Sequence, residues 1–329
     1  MRICLTVLAF SLLLIRCGGD DATYTVEVID GVRHVHNFPL EPDREAQIGL
    51  RYVRTLGEHV TDRDEYLFYR PNDITIDGEG RIYVLDSGNY RVLKYDPGLN
   101  FLNSFGRQGQ GPGELSSPFC LKIGNDNQIY FGDTGRGGIV VFDREGREVE
   151  FIRLYEQEPG AGMTFLQNRI RRFALTEQGQ IVMPLERDAG IAGLFAPDGR
   201  LLQRIGISRE YGNPFMDITG NQTHLTRDNA GNFYFAYSHR NLIEHYTPGG
   251  VLLMRISRQL DFEETGEYTM REQIATTYDQ SKNAVRSMLL PIPYMNYFSG
   301  SIATDARDRI WVLGAYRQSL KEDGERYEL

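Results

Sequence analysis

The stretch Ile74-Thr-Ile-Asp-Gly-Glu-Gly-Arg-Ile-Tyr-Val-Leu-Asp86 decides the fold. It reads as a short strand, a turn of Asp, Gly and Glu, and a second strand that is almost wholly apolar or aromatic. The pattern returns at 121–133, 173–185, 225–237 and 302–314. Gly, Asn and Asp gather in the turns because they supply positive φ and local side-chain caps. Two further strand-like runs follow most copies: 91–96 and 101–105, 139–143 and 148–152, 193–196 and 201–205, 242–246 and 251–256. Asp-Pro-Gly, Arg-Glu-Gly, Pro-Asp-Gly and Pro-Gly-Gly join these later runs as hairpin turns. Each unit is therefore expected to be a four-stranded antiparallel meander.

The landmark residues Ile82, Ile129, Ile181, Phe233 and Ile310 lie 47, 52, 52 and 77 residues apart. Four-stranded sheets repeated at this spacing are what β-propeller blades look like. One such sheet cannot bury both faces alone, so it must stack between neighbours. A face-to-face sandwich is the competing architecture, but it gives no reason for a fixed period. The expected fold is an all-β propeller in a single domain over 24–329, with blades at about 71–105, 118–153, 170–205, 223–256 and 300–329. Strands within 45–57 are expected to help close the ring. The long last interval carries an insert. Met270, Ile274, Tyr278, Val285, Met288 and Leu289 fall near helical spacing before Pro291 and Pro293, which predicts one helix near 268–290.

Composition bounds the function. The chain has 329 residues, of which 25% are charged and 41% hydrophobic, so it can build a packed core. Its formal charge is −9, and −11 without Arg2 and Arg16 of the N-terminal segment. An acidic body has little long-range attraction for nucleic acid or anionic lipid. Ile3 to Ile15 is an apolar run too short to span a bilayer but the right size for a secretory signal. Of the three cysteines, Cys4 lies in that run and Cys17 just after it. Cys120 alone remains in the body, in the buried-strand context Pro118-Phe119-Cys120-Leu121, where a small core residue is the expected role.

Leu14-Ile15-Arg16-Cys17, followed by Gly18-Gly19-Asp20-Asp21, resembles a bacterial lipoprotein signal. It departs from that pattern at Arg16, where a small residue is usual. The resemblance implies a signal segment at 1–17, lipidation at Cys17 and a flexible tether at 18–23. Further along, Pro71 to Arg91, with its Asp86-Ser-Gly-Asn-Tyr-Arg91 run, resembles an NHL repeat. Together with Gly106-Arg-Gln-Gly-Gln-Gly-Pro-Gly-Glu114 and the Gly31–Asn37 segment, it looks like the six-bladed β-propeller lipoproteins of bacteria. That family implies six blades and an exported, membrane-anchored protein facing the periplasm or cell surface. It implies no single activity. The fifth copy ends at Arg326-Tyr-Glu-Leu329, so the last blade is expected to be incomplete, from a truncated chain or an open ring.

Propellers bind ligands at loops around the central channel. The candidates next to the innermost strands are Tyr69, Arg70, Asn72, Arg171, Arg172, His224 and His239, with Ser238 and Arg240 beside the last. Arg169, Arg171 and Arg172 are a local basic cluster able to meet a carboxylate or phosphate. Asp86 and Asn89 read as turn-forming. His34 and His36 share a strand face at a spacing metals can use, but no third ligand is fixed nearby, so no metal site is assigned. No nucleophile elbow, zinc-protease motif or phosphate loop is present, and Gly109–Glu114 reads as a linker between blades.

Two functions follow. The first is a non-catalytic, envelope-anchored binding or scaffold module. It needs no cofactor, takes a peptide, glycan or protein at one face of the ring, meets the membrane only through the lipid, and binds no nucleic acid. The alternative, by analogy with lactonase- or lyase-like propellers, is an enzyme holding a divalent metal in the channel through Asn72, Asp73 and His224. Cys17→Ser is expected to abolish incorporation of labelled palmitate and to shift the protein from the membrane pellet to the soluble fraction. Label retained by the variant would contradict the lipidation.

Overall fold

The computed structural model describes residues 24–38, 52, 55–56, 64–157, 163–165, 170–185, 190–260, 269–279 and 284–314, with 269–279 and 284–294 described by backbone alone. A hairpin of β1 (Tyr24–Ile29) and β2 (Val32–Asn37) comes first. The first meander is β3 (Pro71–Ile76), β4 (Ile82–Asp86), β5 (Arg91–Tyr95) and β6 (Phe101–Phe105). The second is β7 (Pro118–Ile123), β8 (Ile129–Asp133), β9 (Gly138–Phe142) and β10 (Glu148–Ile152). A small pair, β11 (Tyr155–Gln157) and β12 (Met163–Phe165), precedes the third: β13 (Ala174–Leu175), β14 (Ile181–Pro184), β15 (Ala192–Phe195) and β16 (Leu201–Ile205). The short helix α1 (Pro214–Gly220) leads into β17 (Thr223–Arg227), β18 (Phe233–Tyr237), β19 (Ile243–Tyr246) and β20 (Leu252–Arg258). A long hairpin of β21 (Thr269–Asp279) and β22 (Ala284–Tyr294), then the pair β23 (Ser301–Thr304) and β24 (Ile310–Leu313), complete the described strands.

Strand alternation explains how the sheets stack. Successive residues of a strand point to opposite faces. In β8, Ile129 and Phe131 join Leu85, Val92 and Phe105 of the first sheet, while Tyr130 turns the other way to Phe173, Ile181 and Met183 of the third. In β14, Val182 faces the fourth sheet and meets the cluster of Phe233, Phe235 and Tyr237. In β18, Tyr234 and Ala236 face Ile302, Ile310 and Val312 of the next pair. Each middle strand thus buries both faces, which is why it reads as an unbroken apolar run rather than an alternating one. A fully buried Phe or Leu contributes about 2–3 kcal/mol relative to leaving it in water. The first strands, β3, β7, β13, β17 and β23, approach a common cavity. The fourth strands expose Leu102, Val149, Leu202 and Leu253. Sheets stacked side by side about an axis, with first strands innermost, make this a β-propeller.

The insert is not the expected helix. Residues 269–279 and 284–294 form an antiparallel ladder from Thr269↔Tyr294 to Asp279↔Ala284. Positions four apart, such as 270, 274 and 278, share a face in a helix and in a strand alike, so that spacing did not discriminate. Pro291 and Pro293 lie inside β22 rather than stopping a helix. A spacing of two puts both imide nitrogens on the same side of the strand, and a two-stranded ladder leaves one side free of hydrogen bonds. Among the described residues the α-helix that forms is α1, capped by Asn213, whose side chain accepts from the Phe215 and Met216 amides, with Pro214 at its first turn. Among the described residues no helix is long and apolar enough to cross a membrane.

The expected closing strand at 45–57 lies almost wholly outside the described residues, as does 315–329, where the last copy was expected to continue. The N-terminal hairpin extends the fourth sheet. β2 pairs in parallel with β20, from Arg33↔Met254 to Asn37↔Arg258, giving the order β1-β2-β20-β19-β18-β17. His36 bridges the seam, with Nδ1 2.8 Å from Ser257 Oγ and Nε2 2.9 Å from Glu27 Oε1.

Two buried carboxylates tie the connections between strands. Asp86 Oδ1 accepts the Tyr69 amide at 2.6 Å, and Oδ2 accepts Asn89 Nδ2 at 2.8 Å and Arg91 Nε at 3.0 Å. Asp86 and Asn89 are thus the turn-forming pair expected from the NHL-like run. Gly88 packs against the Tyr69 carbonyl so closely that a Cβ would collide with it. Asp133 repeats the device one sheet on, accepting four backbone amides, from Ser116, Ser117, Gly135 and Arg136. The Gly-rich linker is held by Glu148, which takes Arg136 in a two-pronged pair at 2.7 and 2.8 Å and the Gly113 amide at 2.7 Å. Asp133→Ala leaves buried donors unsatisfied and is expected to lower unfolding free energy by about 3 kcal/mol in urea titrations. Glu210→Ala, on the surface, should change it by less than about 0.5 kcal/mol; equal effects would refute the corner's role.

Candidate functional site

The first strands enclose a cavity of about 970 Å³. β3 brings Asn72 and Asp73, β7 brings Phe119 and Lys122, and the segment before β13 brings Arg171 and Arg172. Strand β17, launched from the C-terminus of α1, brings His224 and Arg227, and Tyr297 closes part of the wall before β23. Asn221 fixes the launch point: its side chain donates to the Arg209 and Asp217 carbonyls, both at 2.8 Å, and accepts the Arg209 amide.

Four of the seven candidate residues, Asn72, Arg171, Arg172 and His224, line this cavity. The other three do not. Tyr69 is exposed, and Arg70, in the left-handed region at φ 55°, lays its guanidinium 5.7 Å from the Tyr69 ring. His239 sits behind the wall. Its Nδ1–H donates to the Asn296 carbonyl at 3.0 Å, and its ring meets Tyr297 edge-on. Burial keeps its pKa below the usual imidazole range. Ser238 lines the cavity, whereas Arg240 stacks over Tyr237 at 4.4 Å. Arg169 lies outside the described residues. Lys122, Arg227 and Tyr297 escaped the sequence reading. The available signal was a charged residue in an otherwise apolar first strand, as in Phe119-Cys-Leu-Lys-Ile123.

The wall carries a sign opposite to that of the whole chain. Lys122, Arg171, Arg172 and Arg227 face one carboxylate, Asp73. Asp73 is already engaged: Oδ2 accepts the Leu121 amide at 2.9 Å and Lys122 Nζ at 3.2 Å, and Oδ1 accepts the Ile74 amide. Arg227 reaches out of the cavity to Glu177 at 2.9 Å. Arg171 rests its guanidinium 5.1 Å from the Phe119 ring centre. Cys120 belongs to this wall but is buried, its thiol pushed up to about 12 by that burial, so it is inert. The His224 pKa is lowered to about 3, first by burial, then by the charge of Arg172, then by His239. It is a neutral imidazole at physiological pH.

This donor set does not fit a divalent metal. Among the described residues no three His, Cys, Asp or Glu side chains converge. Asp73 is spent on amides and Lys122, and the surrounding cations oppose a second positive charge. His34 and His36 do not make a site either, because both nitrogens of His36 already have partners.

Residues 68–95, spanning most of the first sheet, match the model of the NHL repeat. NHL repeat-containing protein 3 from Homo sapiens is 24% identical over 102 residues, 30% of this chain and 29% of its own length, and the Mus musculus protein matches equally. The match thus spans less than a third of these curated relatives. Among solved structures, a putative exported protein from Bacteroides fragilis is similar with a TM-score of 0.49 at 13% identity, covering 78% of this chain and 73% of that one. Virginiamycin B lyase from Staphylococcus aureus gives 0.42 at 12%, covering 74% and 69%. A gluconolactonase from Xanthomonas campestris gives 0.34 at 14%, covering 68% and 72%. None of these likenesses carries chemistry over to this chain.

The histidine has a measurable consequence. The folded state holds His224 neutral, whereas the unfolded chain protonates it near 6.5. Its contribution to stability is therefore full above pH 6.5 and shrinks as pH falls toward about 3. His224→Asn is expected to flatten the decline in urea-measured stability between about pH 6.5 and 4.5, above the range where carboxylates titrate. Superimposable pH profiles for the two proteins would contradict this.

Proposed function

We propose that this chain is an exported binding protein, anchored to the envelope through lipid at Cys17, that holds its ligand in the axial cavity and does not transform it. The observation that carries this reading is the cavity itself. At about 970 Å³ it is at the upper end of the usual range for ligand sites. Its wall mixes the aromatic residues Phe119 and Tyr297 with amides, hydroxyls and guanidinium groups, which suits recognition of a polar molecule. Among the described residues, no carboxylate or hydroxyl is hydrogen-bonded to the neutral His224 to make a catalytic relay. The address is supported by the Arg2-to-Cys17 segment, and the acidic body disfavours nucleic acid as partner.

Hydrogen–deuterium exchange of the full chain in detergent, against peptide and oligosaccharide panels, tests the reading. A bound compound should protect amides of β7, β17 and β23 and be recovered chemically unchanged. Ser301→Trp, which places an indole in the cavity, should weaken binding about tenfold or more. Protection confined to outer strands, or conversion of the bound compound, would overturn it.

A further inference from the structure

We infer that the axial cavity is an oxyanion receptor: its ligand presents a carboxylate or phosphate group to the arc formed by Lys122, Arg171 and Arg172. The inference rests on the cavity being the ligand site, and it adds the chemistry that the site selects.

Three observations converge. The first is the reversal of sign. The chain carries −9 overall, yet four cations and one carboxylate line the cavity. Asp73 accepts two backbone amides and Lys122, and Arg227 is paired outward with Glu177, yet the cavity wall keeps an excess of positive charge. A concave wall with an excess of one sign focuses its field on whatever enters.

The second is geometry. Arg171 is laid against the Phe119 ring, which limits the rotamers of its planar fork before any ligand arrives. A guanidinium held this way offers paired N–H donors to a carboxylate or phosphate at reduced entropic cost. Arg172 lies close enough to His224 to depress its basicity, so this side of the wall places cationic charge beside an uncharged imidazole.

The third is unmet hydrogen-bonding capacity in the same wall. Among the described residues, Thr223 Oγ1 and Arg227 Nε are buried and have no partner. Both residues line the cavity. Buried polar atoms in native proteins are nearly always paired, so orphaned donors in two residues of the wall are capacity that a shift of these side chains on binding would bring to a ligand. A hydroxyl and a guanidinium N–H are both donors, which fits an acceptor-rich group such as an oxyanion.

The remaining wall sets the rest of the ligand. Phe119 and Tyr297 offer aromatic surface, and Asn72, Asn221, Gln222 and Ser301 offer amides and hydroxyls. The volume admits a molecule much larger than a bare ion. A polar, ring-bearing small molecule with one or more acidic groups matches all three features.

Isothermal titration on the full chain in detergent, with trigalacturonic acid, neutral maltotriose and inorganic phosphate as probes, tests this. The acid is expected to bind, and maltotriose to bind at least about tenfold more weakly. Phosphate competing with the acid would assign the anion as phosphate-like, and phosphate without effect would assign it as a carboxylate. Raising NaCl from about 0.05 M to about 0.5 M should weaken the acid several-fold. Arg171→Gln with Arg172→Gln should cost about tenfold or more, and Lys122→Gln somewhat less, while exposed Arg200→Gln leaves affinity unchanged. Arg171→Lys keeps the charge but removes the fork, so it should recover only part of the loss. Thermal unfolding of each variant confirms that it folds.

Maltotriose binding as tightly as the acid, with protection of β7 and β17 in hydrogen exchange, would overturn the oxyanion assignment and leave the binding reading intact. Acid binding that ignores every cavity substitution would overturn both. So would the failure of all three probes and of the peptide and oligosaccharide panels to bind.

Discussion

The structure depends on the burial of both faces of each middle strand. Ile129 and Phe131 need the first sheet, while Tyr130, one residue away, needs the third. No single meander can satisfy both requirements, so the sheets must be serial neighbours, each serving as solvent shield for the next. Because every sheet enters this stack the same way round, the first strands converge and the fourth strands face water. The cavity is thus a geometric consequence of the core rather than a separate construction. Gly132 shows how tight the arrangement is: a Cβ there would collide with the Ile170 carbonyl and the Cys120 sulfur of its neighbours.

The distribution of acid follows from the turns. Asp77 accepts the Glu79 and Arg81 amides, Asp143 those of Glu145 and Arg147, and Asp305 those of Arg307 and Arg309. Burial raises the Asp77 carboxyl, but hydrogen bonds from Arg81, Glu79 and Tyr83 outweigh it and hold the group below the ordinary range. Carboxylates are used as caps where the chain reverses, far from the axis in sequence terms, and the first strands carry few of them. The consequence is an acidic protein with a cationic centre.

The N-terminal hairpin adds a long-range constraint. Its parallel pairing with β20 joins residues more than two hundred positions apart, and the Glu27–His36–Ser257 chain of hydrogen bonds locks that seam. The hairpin covers the open edge of the fourth sheet, an edge that would otherwise offer unpaired amides and carbonyls to another chain. Val35 also joins the cluster of Tyr234, Ile243 and Ile256, so the attachment is apolar as well as hydrogen-bonded.

Local chemistry made the meanders legible in sequence. Unbroken apolar runs, Gly- and Asp-bearing turns, and the Asp86-Ser-Gly-Asn-Tyr-Arg91 corner act over a dozen residues or fewer, and their reading as strands, turns and four-stranded sheets agrees with the structure. The reading failed at 268–290 because a four-residue spacing is degenerate between helix and strand, and the choice falls to pairing partners. Among the site residues, Asn72, Arg171, Arg172 and His224 were accessible because they flank or begin first strands. Tyr69, Arg70 and His239 flank the same strands, yet their side chains pack elsewhere, a matter of rotamer and neighbour that spacing does not encode. The sequence alone therefore determined the repeating sheets, their order and the acidity of the surface, since these arise from short-range patterning. Only the tertiary structure decided which charges meet at the axis and where the first hairpin docks, because both depend on strands brought together from distant parts of the chain.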